Sequence, residues 1–186
     1  MVTAQRVLEL LAVLRWAVVH ATLDGGWGVD ALLGCKTRPH EDLDLVVALA
    51  DVPRIQEALA PLGFALHEDH LPVRFVLRRN GEQIDFHTVT FDAEGGGVQP
   101  QPNGGTFRYP PEGFVTGRVL GESVPCISAT VQVLCHLGYE PTTKDAHDVL
   151  RLCQAFGLPI PEAYERFMSA GAAVYGADSV EPSDAS

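Results

Sequence analysis

A pair of glycines followed closely by two spaced aspartates is the feature that most constrains this chain. Gly25 and Gly26 form a turn that opens a short helix, and Asp42 and Asp44 come where a second loop leads into a strand. Alternate residues of a strand point to the same face, about 6.6 Å apart along the chain. Two carboxylates held in this way can share divalent cations, and Mg²⁺ that bridges to phosphates requires such hard oxygen ligands. The pattern therefore indicates metal-dependent phosphorus chemistry on a nucleotide.

The residues around the two aspartates favour a buried site over a solvated strand end. Residues 43–49 are apolar except for Asp44, which predicts a strand in the centre of a sheet. A buried aspartate needs a cation or a hydrogen-bond network to remain charged. Because an isolated D-x-D pattern is common at solvated strand ends, the prediction depends on this apolar context.

A third carboxylate, Asp85, lies in another predicted strand with apolar neighbours. The segment is Ile84-Asp85-Phe86-His87, so Asp85 and His87 share one face of that strand. If this strand is next to the one that carries Asp44, three carboxylates converge on one metal site, and His87 lines the same cleft. The alternative is an aspartate in a hairpin strand that simply faces water.

The glycine pair and Arg38 are candidates for phosphate contacts. Neither a P-loop nor a G-x-G-x-x-G spacing is present, so neither phosphate fingerprint applies. Gly25 and Gly26 instead allow close approach of the backbone to a phosphate at a helix N-terminus, although glycine pairs also serve as ordinary turns. Arg38 can reach phosphate oxygens as a forked donor, or it is an exposed loop arginine.

The order of predicted elements indicates an α+β fold, a mixed β-sheet flanked by helices and followed by a small helical C-terminal part. Residues 95–105, rich in Gly, Pro and Gln, are predicted to be an exposed loop with no core capacity. We expect a catalytic core over 1–127, a helical part over 128–176 that completes the cleft, and a flexible tail over 177–186. The predicted strands are 18–23, 43–49, 64–68, 73–79, 83–90, 117–120 and 123–126, and the helices are 3–15, 30–33, 51–62, 128–137, 143–156 and 161–168.

The charge and the N-terminal segment limit the partners and the location. The formal net charge of −11 among 186 residues argues against a nucleic-acid substrate, because such proteins usually present a basic face. An acidic surface suits a cationic small molecule, or it serves solubility alone. Glu9 and Arg15 interrupt the apolar N-terminal segment, which excludes a secretory or membrane-spanning helix there. We therefore expect a cytoplasmic protein with no membrane partner, as a monomer or homodimer.

Several segments carry the motifs of one enzyme superfamily, whose pattern is a Gly-Gly or Gly-Ser turn, a D-x-D and a later strand acid. The segments are Gly25-Gly26-Trp27-Gly28-Val29-Asp30-Ala31-Leu32-Leu33-Gly34, Thr37-Arg38-x-His40-x-Asp42-x-Asp44, Ile84-Asp85-Phe86-His87 with Phe91-Asp92, Gly121-x-x-Val124-x-Cys126-Ile127-Ser128, His136-x-Gly138-Tyr139 and Lys144-Asp145-x-x-Asp148-Val149. They resemble the aminoglycoside and lincosamide nucleotidyltransferases of the polymerase-β-like nucleotidyltransferase superfamily. The resemblance covers nearly the whole chain apart from the tail.

The resemblance implies a nucleotidyltransferase fold and an Mg²⁺-dependent reaction. A nucleoside monophosphate, AMP if the NTP is ATP, would move to a hydroxyl of a small molecule such as an aminoglycoside or lincosamide antibiotic, with release of pyrophosphate. Two Mg²⁺ ions would be held by Asp42 and Asp44, with Asp85 as third ligand, general base or both. The implied phosphate contacts are Gly25, Gly26, Arg38 and Lys144, and the implied acceptor contacts are His87, His136 and Tyr139.

Two other functions are compatible with the same residues. The same chemistry could serve a protein or tRNA acceptor, as in toxin-antitoxin nucleotidyltransferases, although the net charge of −11 argues against tRNA. The chain could also be a nucleotide-binding homologue that has lost turnover. Retention of all three aspartates argues against that alternative, because an inactive copy has no need of them.

Overall fold

The computed structural model describes residues 1–171, so the predicted flexible tail over 177–186 lies outside the described residues. The helices are α1 (Ala4–Trp16), α2 (Gly25–Leu33), α3 (Val52–Leu59), α4 (Ala129–Cys135), α5 (Thr143–Phe156) and α6 (Glu162–Gly171). The strands are β1 (Ala21–Asp24), β2 (Leu43–Ala48), β3 (Ala65–His70), β4 (Arg74–Arg79), β5 (Glu82–Phe91), β6 (Gly97–Pro100), β7 (Thr106–Tyr109), β8 (Phe114–Val119) and β9 (Glu122–Ile127).

The strands form a mixed sheet with β2 at its centre. The strand order is β3-β4-β5-β2-β1-β9-β8, with β6 added beside the end of β5 and β7 beside β6. β2 runs antiparallel to β1 and parallel to β5. A strand with neighbours on both sides and helices nearby is expected to be apolar throughout, as residues 43–49 are apart from Asp44. The predicted mixed sheet flanked by helices and the predicted central strand are both confirmed.

The two faces of β2 pack against different parts of the core, and this decides where its aspartate points. Leu43, Leu45 and Val47 belong to the larger core cluster, which also contains residues of α1 and α3. Val46 belongs instead to a second cluster with Tyr109, Ile127 and Val131. Because side chains alternate along a strand, Asp44 shares the face of Val46. Asp44 is therefore on the face of the sheet opposite α1 and α3.

Only part of 95–105 is the exposed loop that the composition predicts, because 102–105 are exposed in a turn whereas 96–100 are buried or half-buried. Residues 97–100 form β6, which pairs with the extended end of β5 at Thr90 and Phe91 and with β7 on its other side. The composition of this segment predicts a loop because it contains few large apolar side chains. Residues 97–100 are ordered instead by backbone pairing and by the close packing of small residues. Gly97 packs closely enough that an added Cβ would lie 3.3 Å from Val89, and the Gln99 side chain is buried.

The chain divides into two compact units, Met1–Cys135 and a second that begins at His136. In the second unit, α5 packs against α6, and Thr142 with Asp145 forms a capping box at the start of α5. The Tyr164 hydroxyl donates to the backbone carbonyl of His136. The functional division after residue 127 remains a prediction. Over residues 1–171, no helix is both long and apolar enough to cross a bilayer.

Candidate active site

Two aspartates and a histidine meet where β2 and β5 run side by side. The parallel register pairs Asp44 with Asp85 and places His87 opposite Val46, one step further along the same face. One ligand atom each of Asp44, Asp85 and His87 lies within 4.8 Å of the other two. The predicted adjacency of these two strands is confirmed, and it produces an acid cluster, defined as Asp44, Asp85 and His87.

The two carboxylate oxygens of Asp85 have different surroundings. Oδ2 accepts a hydrogen bond from the guanidinium of Arg74, while Oδ1 is buried and accepts no hydrogen bond from the described residues. Burial raises the pKa of the Asp85 carboxyl above its ordinary value, and the neighbouring Asp44 raises it further. The positive charge of Arg74 and the nearby His87 partly offset this increase. Among the described residues, Asp85 thus has one carboxylate oxygen that is held by Arg74 and one that is buried without a hydrogen-bond partner.

Arg74 is a functional candidate that the sequence did not reveal. Its guanidinium bridges two carboxylates, donating to Asp85 and, at 2.5 Å, to Oε2 of Glu68 on β3. A planar guanidinium can serve two acceptors at once, which fixes the orientation of both. In the sequence Arg74 is simply one of three arginines in residues 73–79, and nothing there distinguishes it from Arg78 and Arg79.

His87 faces Asp44 through one ring nitrogen and the β6–β7 hairpin through the other. Its Nε2 lies 3.8 Å from Oδ1 of Asp44, and its Nδ1 lies 3.4 Å from Nε2 of Gln99. Burial by itself lowers the pKa of His87, but the carboxylates of Asp44, Asp24 and Asp85 outweigh that effect and raise it to about 9. The site therefore favours positive charge among its carboxylates, as expected of a place that attracts cations.

Asp42 lies in a bend immediately before β2 and is half-buried. The strand alternation that was expected to align it with Asp44 therefore does not by itself determine its direction, and the acid cluster consists of the other three residues. The role of Asp42 as a metal ligand stays a prediction.

The glycine pair begins α2 and lies directly against the acid cluster. Gly25 has φ +53°, and a Cβ added there would lie 2.3 Å from Oδ2 of Asp44. A Cβ on Gly26 would lie 2.4 Å from Nδ1 of His40 and 2.7 Å from the guanidinium of Arg38. Only glycine fits at either place without displacement of these side chains. The structure therefore places Gly25 against Asp44, and Gly26 against His40 and Arg38.

A fourth carboxylate, Asp24, is the last residue of β1 and was not recognised from the sequence. It pairs in register with Asp44, it is buried, and its Oδ1 accepts from the backbone N–H of Gly25 at 2.6 Å. It is the N-cap residue of α2. The available signal was an aspartate directly before a glycine turn that opens a helix, which is a preferred N-cap position.

A buried network connects α2 to the loop that precedes β2. Asp30 accepts hydrogen bonds from the backbone N–H and the hydroxyl of Thr37, and its other oxygen lies 2.5 Å from Nε2 of His40. Both Asp30 and His40 are almost fully buried, and the His40 ring packs against Trp27 with centroids 4.7 Å apart. Thr37 and His40, on either side of Arg38, thus both contact Asp30 of α2, which holds this loop in position before Asp42.

Three predicted site residues belong to the second unit. Lys144 is the second residue of α5 and is exposed, and the hydroxyl of Tyr139 donates to Asp145 at 3.3 Å. His136 is half-buried and accepts from Tyr164 through its backbone carbonyl. Their roles in phosphate and acceptor binding remain predictions.

The residues present fit a divalent cation. The buried Oδ1 atom of Asp85 accepts no hydrogen bond from the described residues, and one carboxylate oxygen of Asp44 lies within 4.8 Å of a carboxylate oxygen of Asp85. A carboxylate oxygen in such a position is costly unless a cation or a donor reaches it. Oxygen donors from carboxylates are the ligands that Mg²⁺ prefers.

Comparisons with known proteins identify the family and the fold. The family model described as aminoglycoside-2''-adenylyltransferase matches residues 6–152. A lincosamide resistance protein of Staphylococcus haemolyticus is 29% identical over 152 residues, which is 81% of this chain and 94% of that protein. The structure of the lincosamide antibiotic adenylyltransferase LnuA with lincomycin bound superposes with a TM-score of 0.73 at 29% identity, covering 81% of this chain and 96% of that one.

Two structures of ANT(2'')-Ia extend the fold comparison. One, in complex with adenylyl-2''-tobramycin, has a TM-score of 0.69 at 20% identity and covers 93% of this chain and 98% of that one. The solution structure gives the same TM-score and identity. The predicted nucleotidyltransferase fold is confirmed. With the family match over most of its length, this chain belongs to the aminoglycoside-2''-adenylyltransferase family and is a nucleotidyltransferase.

Proposed function

We propose that this protein transfers a nucleoside monophosphate, with ATP as the expected donor, to a hydroxyl of a lincosamide antibiotic. The observation that carries the proposal is the register of β2 and β5, which sets Asp44 opposite Asp85 beside the glycines of α2. The relatives supply the substrate class, since the proteins at 29% identity are a lincosamide resistance protein and a lincosamide adenylyltransferase.

The carboxylates are suited to hold Mg²⁺, and the proposal assigns two ions to Asp42, Asp44 and Asp85. When bound, the ions would neutralise the triphosphate and stabilise the charge that develops on the reacting phosphate. Asp44 supports this assignment through its place in the acid cluster. Asp42 enters the proposal through the D-x-D motif and its position directly before β2.

Asp85 is proposed to take the proton of the attacking hydroxyl at Oδ1, in addition to or in place of metal ligation. The hydroxyl oxygen forms a new bond to the α-phosphorus, the bond between that phosphorus and the bridging oxygen breaks, and pyrophosphate leaves. Because Arg74 occupies Oδ2, it leaves Oδ1 as the oxygen available for the proton. A base needs only hydrogen-bond reach to the hydroxyl, and burial raises the pKa of Asp85 toward the working pH.

The phosphates of the nucleotide are proposed to bind at the start of α2. The absence of side chains on Gly25 and Gly26 lets the phosphates approach the backbone N–H groups of the helix N-terminus, where the helix dipole favours negative charge. Arg38, whose guanidinium lies next to Gly26, is placed to pair with a phosphate oxygen. Lys144 of α5 is proposed as a further phosphate contact.

The acceptor is proposed to contact His87, His136 and Tyr139. A lincosamide is proposed before an aminoglycoside because ANT(2'')-Ia, whose structure contains adenylyl-2''-tobramycin, is only 20% identical to this chain. The net charge of −11 would attract a polycationic aminoglycoside, so that class is the second arm of the test. We propose that the reaction occurs in the cytoplasm, where nucleoside triphosphates are available.

One experiment tests the proposal directly. The purified protein is incubated with Mg²⁺, each of the four NTPs and, in separate reactions, a panel of lincosamides and aminoglycosides, a cell lysate, or tRNA. We expect pyrophosphate release and a mass gain of one nucleoside monophosphate on a lincosamide. A mass gain on aminoglycosides alone would change the acceptor class. Labelling of a protein or tRNA without modification of any drug would replace the proposal with the toxin-antitoxin type of function, and nucleotide binding without turnover would indicate an inactive homologue.

A further inference from the structure

Gln99 connects the β6–β7 hairpin to the acid cluster through buried hydrogen bonds. Its Nε2 donates to the backbone carbonyl of Val73 at 3.1 Å and lies 3.4 Å from Nδ1 of His87. Its Oε1 accepts from the hydroxyl of Tyr109 at 3.0 Å. Gln99 is 6% exposed and Tyr109 is 2% exposed, so water has little access to this chain of contacts.

The orientation of the Gln99 amide follows from what each neighbour can do. The Val73 carbonyl can only accept, and it already accepts from the backbone N–H of Thr88 at 3.3 Å. Rotation of the amide by half a turn would place two carbonyl oxygens 3.1 Å apart and lose that hydrogen bond. The NH₂ group of Gln99 therefore faces both Val73 and His87.

This orientation decides which nitrogen of His87 carries the proton. A donor from Gln99 faces Nδ1, so in the neutral imidazole, which prevails above the His87 pKa of about 9, Nδ1 is the acceptor and the single proton is on Nε2. Nε2 is the nitrogen that faces Oδ1 of Asp44. If the ring gains a second proton, Nε2 remains protonated. In both states the nitrogen in the acid cluster is an N–H donor with no lone pair for a cation.

We propose that Gln99 orients His87 so that its Nε2–H faces Asp44, which makes His87 a hydrogen-bond donor in the site and not a metal ligand. The preference of Mg²⁺ for oxygen ligands independently supports this assignment. His87 then positions the Asp44 carboxylate, and Gln99 positions His87, in the manner of the outer partners that orient metal ligands. The inference rests on the proposed function only in that it treats Asp44 as a working carboxylate.

The test is the nitrogen NMR spectrum of the histidine rings in the full-length protein. Spectra are recorded at a pH above the His87 pKa, with and without Mg²⁺, and the His87 signals are identified by their loss in His87→Gln. We expect Nε2 to be protonated and Nδ1 to be unprotonated in the wild-type protein, with or without the ion. A protonated Nδ1, or loss of the Nε2 proton when Mg²⁺ is added, would overturn the proposal.

Two variants of the hairpin separate a specific effect from a structural one. Gln99→Met keeps the length of the side chain but has no donor, so we expect a mixture of His87 tautomers and a fall of about 10- to 100-fold in kcat or Mg²⁺ affinity. Gln101→Met is the control on the same hairpin, and we expect the wild-type tautomer. An unchanged tautomer in Gln99→Met would also overturn the proposal. The spectra need no turnover, so their outcome is independent of whether a lincosamide is modified.

Discussion

Asp44 and Asp85 lie directly opposite each other in two neighbouring parallel strands, β2 and β5. Each is on a strand whose flanking residues are buried, and both point away from the larger core cluster. A register shift of one residue would turn one of the two carboxylates to the other face of the sheet. The buried side chains next to the aspartates, Leu43, Leu45, Ile84 and Phe86, therefore hold the geometry of the site.

Neutral replacements of the two aspartates should separate metal binding from proton transfer. For Asp44→Asn we expect a loss of about 100-fold or more in kcat/KM and weaker Mn²⁺ binding, since a metal contributes several kcal/mol and about 1.4 kcal/mol is tenfold. For Asp85→Asn we expect a kcat loss of about 10²- to 10⁴-fold if it is the base. Mn²⁺ titration by electron paramagnetic resonance distinguishes the roles.

Glu57→Gln is the control for these two variants because it removes one negative charge from an exposed position on α3. We expect wild-type kinetics and Mn²⁺ affinity from it. Turnover at the wild-type rate in Asp44→Asn would contradict the assignment of the site. Unchanged Mn²⁺ affinity in Asp85→Asn, together with lost turnover, would show that Asp85 is the base and not a ligand.

Loss of Arg74 should shift the pH dependence of the reaction. The Arg74 guanidinium offsets part of the increase that burial causes in the pKa of Asp85. Arg74→Gln should raise that pKa further. A carboxylate base works only when ionised, so activity falls as the pH drops through its pKa, and we expect the acidic limb of the kcat/KM profile to move to higher pH. The measurement is the full pH profile of both proteins.

Arg78→Gln provides the matched comparison for Arg74. It removes an arginine from the same strand, but this one is exposed and donates to Gln83 at 2.8 Å. We expect its pH profile to coincide with that of the wild-type protein. An acidic limb that moves equally in both variants would reflect net charge and not contact with Asp85.

Two glycines with positive φ allow the contact with Asp44 to be tested apart from backbone strain. Gly25 has φ +53° and would meet Asp44 with a Cβ, whereas Gly34 has φ +70° and no atom within 4 Å of the Cβ position. Alanine at either costs about 1–2 kcal/mol of backbone strain. We expect Gly25→Ala to lose activity as well as stability, and Gly34→Ala to lose stability alone. Chemical denaturation and steady-state kinetics of the two variants decide the matter, and equal kcat/KM values would contradict the close contact.

The sequence predicts the strands that carry Asp44 and Asp85 because local patterns carry the information, but it did not single out Asp24, and the role of Asp42 stays a prediction. Period-two alternation places Asp85 and His87 on one face, and the apolar run around Asp44 indicates a central strand. Their mutual position follows from the pairing of β2 with β5, two strands separated by more than thirty residues. Only the family resemblance, and not the local pattern, indicated that they would be neighbours.

The roles of Gln99 and Arg74 were not predicted, because no local pattern in the sequence indicates them. Each acts through side-chain hydrogen bonds to residues that are distant in the chain, and neither belongs to a periodic or motif pattern. A segment rich in Gly, Pro and Gln is normally exposed, but β6 gains its order from pairing with the end of β5. Such tertiary contacts leave no local signal in a single sequence.

The buried network around Asp30 should contribute both to stability and to the site. Asp30→Ala removes the acceptor for the Thr37 N–H, the Thr37 hydroxyl and His40. Because a buried donor without a partner costs about 1–3 kcal/mol, we expect the free energy of unfolding to fall by about 3 kcal/mol or more. Thr37→Val removes the hydroxyl alone and should cost about 1 kcal/mol. Urea denaturation measures both values.

The same network should also support catalysis. His40 packs beside Gly26 and precedes Asp42 in the same loop, so we expect kcat/KM to fall in Asp30→Ala. A fully active Asp30→Ala variant would show that the loop holds its position without this network.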